Sequence, residues 1–171
     1  QSTLIALEAI KKNKLENNYS TELICVEPYE NNWLENLGIE IMRKKIEDVD
    51  LDLCKRLEAN DILFIDSSHI IRPQGDILKE FLEILPLLKP GVIIHIHDIY
   101  TPRNYPERWL KKENRFYNEQ YLLEAMLDNS NRYSVMLGLN FLKNDHFDKL
   151  KICCPYLKED TEPGSFYLRV N

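Results

Sequence analysis

The chain has 171 residues, of which 44% are hydrophobic and 29% charged, and its formal net charge is −6. This composition excludes a disordered tail, and the length allows one domain with a sizeable core. No apolar run reaches the roughly 20 residues of a membrane span, so no membrane partner is expected. The negative charge argues against a nucleic-acid partner. The sequence indicates no particular oligomeric state.

The four cysteines include no CxxC pair, and the chain shows no signal-peptide pattern. Cys25 lies in an apolar run, where a thiol behaves as a small hydrophobic side chain. Reduced thiols are the ordinary case inside the cell, so the sequence predicts a cytoplasmic protein.

Short apolar strands alternate with helices along the first part of the chain. Ser2 or Thr3 is suited to cap a first helix, whose apolar residues Leu4, Leu7 and Ile10 recur at helical spacing. Alternation of this kind predicts a parallel sheet covered on both faces by helices. The further strands are predicted at 22–26, 39–41, 61–65 and 92–96, and the further helices at 31–37, 51–57 and 77–88.

The last third of the chain has a different pattern. A loop is predicted at 100–109, where Arg103, Tyr105, Arg108 and Trp109 are suited to contact a small polar molecule. This loop is therefore expected to line or cover an acceptor site. Beyond it the sequence predicts one helix and a closing antiparallel strand pair, at 118–127, 133–142 and 165–170.

Ionisable side chains follow three of the predicted strands, at Glu27, at Asp66, and at His97 with Asp98. Ligands of open α/β sheets bind outside the carboxyl ends of the strands, so these residues are expected at a ligand site. The alternative for each acid alone is that it caps a helix or is solvated in a loop.

The acids early in the chain are suited to bind a nucleoside. Glu27 is able to accept two hydrogen bonds from a ribose diol. Glu47 and Asp48 follow the next predicted strand and are able to receive an adenine amino group; the alternative is a solvated acidic turn.

The later strand ends bring together two carboxylates and two imidazoles, from Asp66, His69, His97 and Asp98. Such a group is suited to bind a divalent metal or to supply a general base. His95 lies inside its strand and is predicted to be a core histidine with its hydrogen bonds satisfied.

A right-handed crossover through the predicted helix at 77–88 makes the two later strands neighbours about 4.8 Å apart. Because His97 and Asp98 point to opposite faces of a strand, Asp66 is expected to approach only one of them. Asp98 is the one we favour.

Four segments resemble motifs of the class I S-adenosylmethionine-dependent methyltransferases. QSTL at 1–4 resembles the segment just after their glycine-rich loop, and VEP at 26–28 resembles their acidic post-loop motif. FIDSSH at 64–69 resembles IDG-x-H, and LPLLKPGV at 85–92 followed by HDI resembles LLKPGG…HD. The subgroup is that of the type-24 small-molecule methyltransferases, near the metal-dependent O-methyltransferases. The resemblance covers most of residues 1–142.

The resemblance implies a Rossmann-like, doubly wound and mostly parallel sheet with an antiparallel C-terminal strand, and S-adenosylmethionine as the cofactor. It implies that Glu27 holds the ribose and that Glu47 or Asp48 lies near the adenine. Asp66 would face the methionine end of the cofactor, or a metal. The same resemblance places two further residues at the cofactor, Ser2 and Thr3.

The sequence departs from the family at its glycines. None of the five glycines forms the G-x-G pair of the family loop, and Ser67 stands where glycine is usual. We expect the sequence to begin just after that loop, and the natural protein to extend upstream of Gln1. Residues 1–171 would then form a single methyltransferase-like domain that lacks its first strand and glycine-rich loop.

The predicted activity is methyl transfer from S-adenosylmethionine to a small molecule, with O-methylation favoured. The predicted catalytic residues are His97, His69 and Asp98, with His97 the preferred base. If a divalent metal such as Mg²⁺ takes part, its predicted ligands are Asp66, His97 and Asp98, and it would lower the pKa of the acceptor hydroxyl. The alternatives are a nicotinamide-dependent oxidoreductase, which Glu27 also fits, and a non-catalytic domain of the same fold.

Overall fold

The computed structural model describes residues 2–29 and 32–171. The chain divides into two compact units, Gln1–Asp48 and Val49–Asn171. The acids predicted at the ribose and adenine lie in the first unit, and the group of histidines and aspartates lies in the second. Across the described residues, no helix combines the length and apolar character needed to cross a membrane.

The first unit contains one helix and two short strands. The strands are parallel, with Cys25 opposite Ile41, and no residue of the helix is buried. The structure confirms the predicted helix and both strands. Their bounds are α1 (Ser2–Asn17), β1 (Ile24–Val26) and β2 (Glu40–Met42).

A 3₁₀ helix, Asn32–Leu37, lies between the two strands in the sequence and buries Leu34. It ends at Gly38, whose φ of +68° is a left-handed conformation that glycine adopts without a steric penalty. The helix predicted here began at Asn31, which lies outside the described residues.

The second unit is built on a mixed four-stranded sheet. Its strand order is β3-β4-β6-β5, with β3 and β4 parallel and the two C-terminal strands antiparallel to their neighbours. The bounds are β3 (Ile62–Ile65), β4 (Ile93–Ile96), β5 (Tyr133–Gly138) and β6 (Phe166–Val170).

The closing antiparallel pair is confirmed, and the sheet as a whole is less parallel than expected. In the described residues the parallel pairs are β1 with β2 and β3 with β4, while β6 runs against both of its neighbours. The expected doubly wound parallel sheet is therefore seen only as a mixed α/β arrangement. The cause is β6, which inserts between β4 and β5 rather than adding at an edge.

The connection from β3 to β4 is the amphipathic segment predicted at 77–88, and it is not one regular α-helix. It begins as α3 (Asp76–Leu78), continues as a π-helix, Lys79–Ile84, and ends as a 3₁₀ turn, Leu85–Leu87. Pro86 lacks the N–H donor that a regular helix would use there, which accounts for the change of helix type near the end. The predicted apolar face is nonetheless buried, at Ile77, Phe81, Ile84, Leu85 and Leu88.

Short helices fill the rest of the second unit, and two of them replace predicted loop or strand. Residues 107–109 were expected in a loop and belong to a helix that follows Pro106, a residue suited to a helix start. Residues 139–142 were expected in a strand and are helical, because β5 ends at Gly138. The helices are α2 (Leu51–Lys55), α4 (Glu107–Lys111), α5 (Glu119–Asp128), α6 (Leu139–Asp145) and α7 (Phe147–Cys153).

Candidate functional site

His69 is the buried centre of the site in the second unit. It follows β3 with a φ of +60°, and its side chain is only 7% exposed. Its Nε2 lies 3.4 Å from Asp66 Oδ1 and 3.8 Å from Asp98 Oδ2. Its Nδ1 contacts Glu119 Oε1. Three carboxylates therefore surround one imidazole.

His97 is the more accessible imidazole of the site, with its side chain 39% exposed. Its backbone N–H donates to Ile65 O at 2.9 Å, which continues the β3–β4 ladder and fixes its position. Its Nδ1 lies 3.5 Å from Asp66 Oδ1 and 3.2 Å from Asp98 Oδ1. Among the described residues that nitrogen is buried without a hydrogen-bond partner of good geometry.

The structure thus brings together the four residues predicted at the later strand ends. Asp66 was expected to approach only one of His97 and Asp98; it lies beside His97, and Asp98 contacts the same two imidazoles as Asp66. The side-chain alternation argument fails because Asp98 has left the strand, with a φ of +55°. The three residues whose ligand atoms all lie within 4.8 Å of one another are Asp66, His69 and His97.

The carboxylates and imidazoles of the site shift one another's pKa values toward the charged forms. The hydrogen bond from His69 keeps the pKa of Asp66 low. Burial alone would lower the pKa of His69, but its contacts with Asp66 and Glu119 raise it to about 10. Contact with Asp98 raises the pKa of His97. His69 is therefore the imidazolium that balances the carboxylates around it.

The loop between Asp66 and His69 is held by acids of the crossover segment. Ser67 Oγ donates to Glu80 Oε2 at 2.7 Å. The backbone N–H and the hydroxyl of Ser68 both donate to the Asp76 carboxylate, at 2.8 and 2.6 Å. Ser67, which stands where the resembling family has glycine, therefore has a positioning role that a glycine would lack.

His95 was predicted to be a core histidine; it is half-buried in its strand, and its hydrogen bond is satisfied as predicted. Its Nε2 lies 3.0 Å from Ser165 Oγ, and its ring stacks on Tyr167 at 4.1 Å. Burial lowers its pKa to about 4, so it is neutral at physiological pH.

The segment predicted as an acceptor-site loop divides into a buried and an exposed part. Tyr105 and Trp109 were expected to contact a ligand. Instead they are buried with Tyr100 in an aromatic cluster, against which the partly buried Tyr117 packs. Aromatic side chains bury large apolar areas, which accounts for their position. The polar residues around this segment line an open cleft of about 480 Å³, among them Arg103, Arg108, Asn140, Asn144, Asp160 and Glu162.

In the first unit the predicted cofactor residues lie at strand and helix ends. Glu27 follows β1, and its Oε1 accepts from Tyr29 N at 2.9 Å. Glu47 and Asp48 belong to a 3₁₀ turn, Ile46–Asp48, a little beyond β2. Ser2 and Thr3 form the first turn of α1.

The sequence predicted a helix at 118–127, but it did not predict that the start of this helix, α5, contacts the site. Asn118 N donates to His69 O at 3.0 Å, and Asn118 Oδ1 accepts from Ile71 N at 2.6 Å. Glu119 and Gln120 are fully buried. The one available signal was three polar residues in a row before an apolar helix, a pattern that ordinary helix starts share.

Residues 1–99 match a family model described as a methyltransferase domain, of the type-24 kind. The match covers more than half of the chain and includes β1 to β4 with the strand-end residues that follow them. No curated protein and no solved structure matches significantly.

Proposed function

Because the chain belongs to this family, the class I S-adenosylmethionine-dependent methyltransferases of type 24, we propose that it methylates a hydroxyl oxygen of a small molecule. Methyl transfer itself follows from the family. The observation that supports an oxygen acceptor is His97, a half-exposed imidazole whose buried Nδ1 lies between the carboxylates of Asp66 and Asp98. With Nδ1 held between these carboxylates, Nε2 is the ring nitrogen left to take a proton from a hydroxyl.

In the proposed reaction the acceptor oxygen attacks the methyl carbon of the sulfonium, and the carbon–sulfur bond breaks. The products are the methyl ether and S-adenosylhomocysteine, and the hydroxyl proton passes to His97. Alignment of donor and acceptor supplies much of the rate enhancement, and a general base adds to it. Asp98, with Oδ1 3.2 Å from His97 Nδ1, would orient the imidazole and stabilise its charged form.

His69 is the second candidate base, and its surroundings make it the weaker one. Its side chain is almost completely buried, and both ring nitrogens face carboxylates, at Asp66 and Glu119. An acceptor would have to displace one of these contacts to reach it. We therefore assign proton removal to His97 and electrostatic support of the site to His69.

The cofactor assignments remain proposals carried by the family resemblance. Glu27 would hold the ribose, with Glu47 or Asp48 near the adenine and Ser2 and Thr3 also at the cofactor. Asp66 would face the methionine end. Glu27 follows β1, and Glu47 and Asp48 lie a little beyond β2. All three therefore come after the carboxyl ends of a parallel strand pair, which is the edge where ligands of such sheets bind.

We propose further that residues 1–171 form a single domain with the doubly wound sheet of its family. The parallel pairs β1–β2 and β3–β4 and the antiparallel β6 are the parts of that sheet that the described strand pairings support. A cytoplasmic location is consistent with the exposed free thiols of Cys153 and Cys154, which persist in a reducing compartment.

The acceptor proposed for this site is small and polar. The open cleft of about 480 Å³ has the volume of a small-molecule site, and one of its lining residues, Tyr100, lies two residues beyond Asp98. Its lining carries three side-chain amides, from Asn104, Asn140 and Asn144. It also carries charges of both signs, from Arg103, Arg108, Glu107, Asp160 and Glu162. A molecule with several hydroxyl groups would find donors and acceptors there.

A divalent metal is a second candidate component, favoured by the cluster of Asp66, His69 and His97. The residues present fit a metal, since one carboxylate and two imidazoles lie within reach of a common point. The donor set favours a transition ion over Mg²⁺, which prefers oxygen ligands. Asp66 and His97 belong to the predicted ligand set, and His69 or Asp98 would complete it. When bound, such an ion would lower the pKa of the acceptor hydroxyl.

The test begins with calorimetric titration of the purified full-length protein with S-adenosylmethionine, and with a nicotinamide cofactor in parallel. We expect binding of the first and none of the second. A panel of small hydroxyl compounds is then screened for formation of S-adenosylhomocysteine. Products methylated only on nitrogen or carbon would contradict the proposal.

With an acceptor in hand, His97→Gln is expected to lower kcat about 100- to 10,000-fold, as loss of a general base does, with unchanged cofactor affinity. His146→Gln is the matched control, since His146 lies between α6 and α7 and contacts Phe141. Equal activity of the His97 variant and the wild type would remove the base assignment.

A further inference from the structure

We propose that Glu119 is a positioning residue, which holds the His69 imidazole so that Nε2 faces Asp66 and Asp98. The contacts of Glu119 support the arrangement itself, and its role in catalysis rests on the proposed function. Glu119 lies beyond residues 1–99, the stretch that matches the family model. It is thus a residue of the site that the family resemblance does not assign.

The Glu119 side chain is aimed at a single partner. It has no exposed surface, and its Oε1 contacts His69 Nδ1. Its other oxygen, Oε2, is buried without a hydrogen-bond partner among the described residues. A buried carboxylate without a cationic or donor partner is costly, so the His69 contact is the interaction that allows Glu119 to be placed there.

The backbone around Glu119 is fixed independently of that contact. Asn118 bonds the backbone of His69 and of Ile71, through N at 3.0 Å and through Oδ1 at 2.6 Å. On the other side, Gln120 Oε1 accepts from Tyr100 N at 2.7 Å. The start of α5 is thereby tied to the loops that follow both β3 and β4. Glu119 sits between these two anchors and has little freedom to move.

This geometry decides which way the imidazole points. With Nδ1 occupied by Glu119, only Nε2 remains to face Asp66 at 3.4 Å and Asp98 at 3.8 Å. A carboxylate that accepts from one ring nitrogen of a histidine fixes both the position of that proton and the ring orientation. Tyr117 packs on the ring at 4.5 Å and limits the remaining rotation.

A merely structural ion pair would hold α5 in place without controlling the ring, and the two cases differ in a measurable way. If Glu119 positions His69, its loss changes the environment of Nε2, on the far side of the ring. A glutamine at 119 keeps an oxygen acceptor for Nδ1–H and should preserve the orientation, whereas a leucine of similar size cannot.

The experiment is nuclear magnetic resonance of the full-length protein with isotope-labelled histidine, at one fixed pH. The ring signals of His69 are identified by their loss in His69→Gln. We expect a protected proton on Nδ1 in the wild type. In Glu119→Gln that proton shifts but persists, and the Nε2 signal stays near its wild-type position. In Glu119→Leu the Nδ1 proton is lost to exchange and the Nε2 signal moves.

Glu83→Gln is the control, because Glu83 is a glutamate of the same crossover segment that pairs with Lys79 and not with the loop that carries His69. It should leave the His69 signals in place. An unprotonated Nδ1 in the wild type would overturn the proposal, as would an Nε2 signal that ignores Glu119→Leu in a folded protein. If Glu119→Leu does not fold, the Nδ1 proton of the wild type and its shift in Glu119→Gln decide alone.

Titration of the same samples with S-adenosylmethionine separates this proposal from the proposed function. Absence of cofactor binding in the wild type with the expected ring signals would contradict the function and leave the positioning role standing. If the cofactor binds but the ring signals do not change in the Glu119 variants, the positioning role is contradicted and the proposed function stands.

Discussion

Exposure separates the two histidines of the site more clearly than their chemistry does. Both are imidazoles beside Asp66, but the His97 side chain is 39% exposed and that of His69 only 7%. A group that exchanges a proton with a substrate must be reached by it, and a group that balances buried carboxylates need not be. The sequence placed both residues near one edge and favoured His97 as the base, but it did not show that His69 is buried among carboxylates.

At the same scale, Glu27→Ala is expected to weaken S-adenosylmethionine binding. A charge-assisted hydrogen bond contributes about 1.5–3 kcal/mol, which corresponds to an affinity loss of about 10- to 150-fold in calorimetry. Glu40→Ala is the control, because Glu40 begins β2 and Glu27 follows β1, so that the two lie at opposite ends of a parallel pair. Equal affinities of the wild type and the Glu27 variant would remove Glu27 from the cofactor site.

Glu80 gives a pH dependence of stability with a defined sign. Burial raises the pKa of Glu80 from 4.5 to about 8. The folded state therefore binds more protons than the unfolded state between these values, and the free energy of unfolding falls as the pH rises through that window. Below about 4.5 the contribution of Glu80 is complete, and above about 8 it is lost.

The expected result is that Glu80→Gln, which cannot ionise, gains stability relative to the wild type as the pH rises from 5 to 8, on the order of a few kcal/mol at most. Urea unfolding of both proteins at the two pH values measures it. A stability difference that stays constant with pH would show that Glu80 titrates normally.

At the scale of the element, the crossover between β3 and β4 combines an irregular backbone with a regular buried face. Its π-helical part exposes Leu82 and buries Phe81 completely. The acids of the same segment, Asp76 and Glu80, hold the loop that carries the site. One side of the crossover therefore packs in the core, and the other holds the loop that carries the site. The apolar spacing in the sequence predicts only the side that packs in the core.

Phe81→Ala is expected to lower the free energy of unfolding by about 3–5 kcal/mol, because it leaves a cavity beneath the crossover. Leu82→Ala is its neighbour-matched control. Leu82 is 56% exposed, so its truncation should cost far less. The two variants are compared by urea unfolding, and similar losses for both would contradict the burial of Phe81.

Across the whole chain, the sequence predicted the features that depend on local residue patterns. The strands that end at Asp66 and His97 and the antiparallel β6 follow from apolar runs and their order, and the structure has them. The left-handed turn at Asp98 and the approach of Glu119 do not, because both depend on segments far away in sequence. Asp98 packs closely against Gly164, and His69 contacts Glu119 of α5.

Gly164 packs against the backbone of Asp98, with no space for a larger residue. A Cβ at position 164 would lie 2.9 Å from Asp98 Cα and 3.2 Å from Asp98 N. These are backbone atoms, and Ile99 N is bound to Gly164 O at 2.7 Å, so neither chain can withdraw without loss of that hydrogen bond. Gly164→Ala should therefore reduce the free energy of unfolding by about 1–3 kcal/mol through overpacking.

The same substitution should displace Asp98 and so shift the ring signals of His97, whose Nδ1 lies 3.2 Å from Asp98 Oδ1. Thr161→Ala serves as the control from the same segment. Thr161 is exposed and accepts a single bond from Lys158 N, so its loss should cost about 0.5 kcal/mol or less and leave His97 unchanged. Wild-type stability together with unshifted His97 signals in Gly164→Ala would mean that the C-terminal segment does not shape the site. The expected pair of changes would make residues distant from the family motifs a determinant of where the Asp98 carboxylate lies.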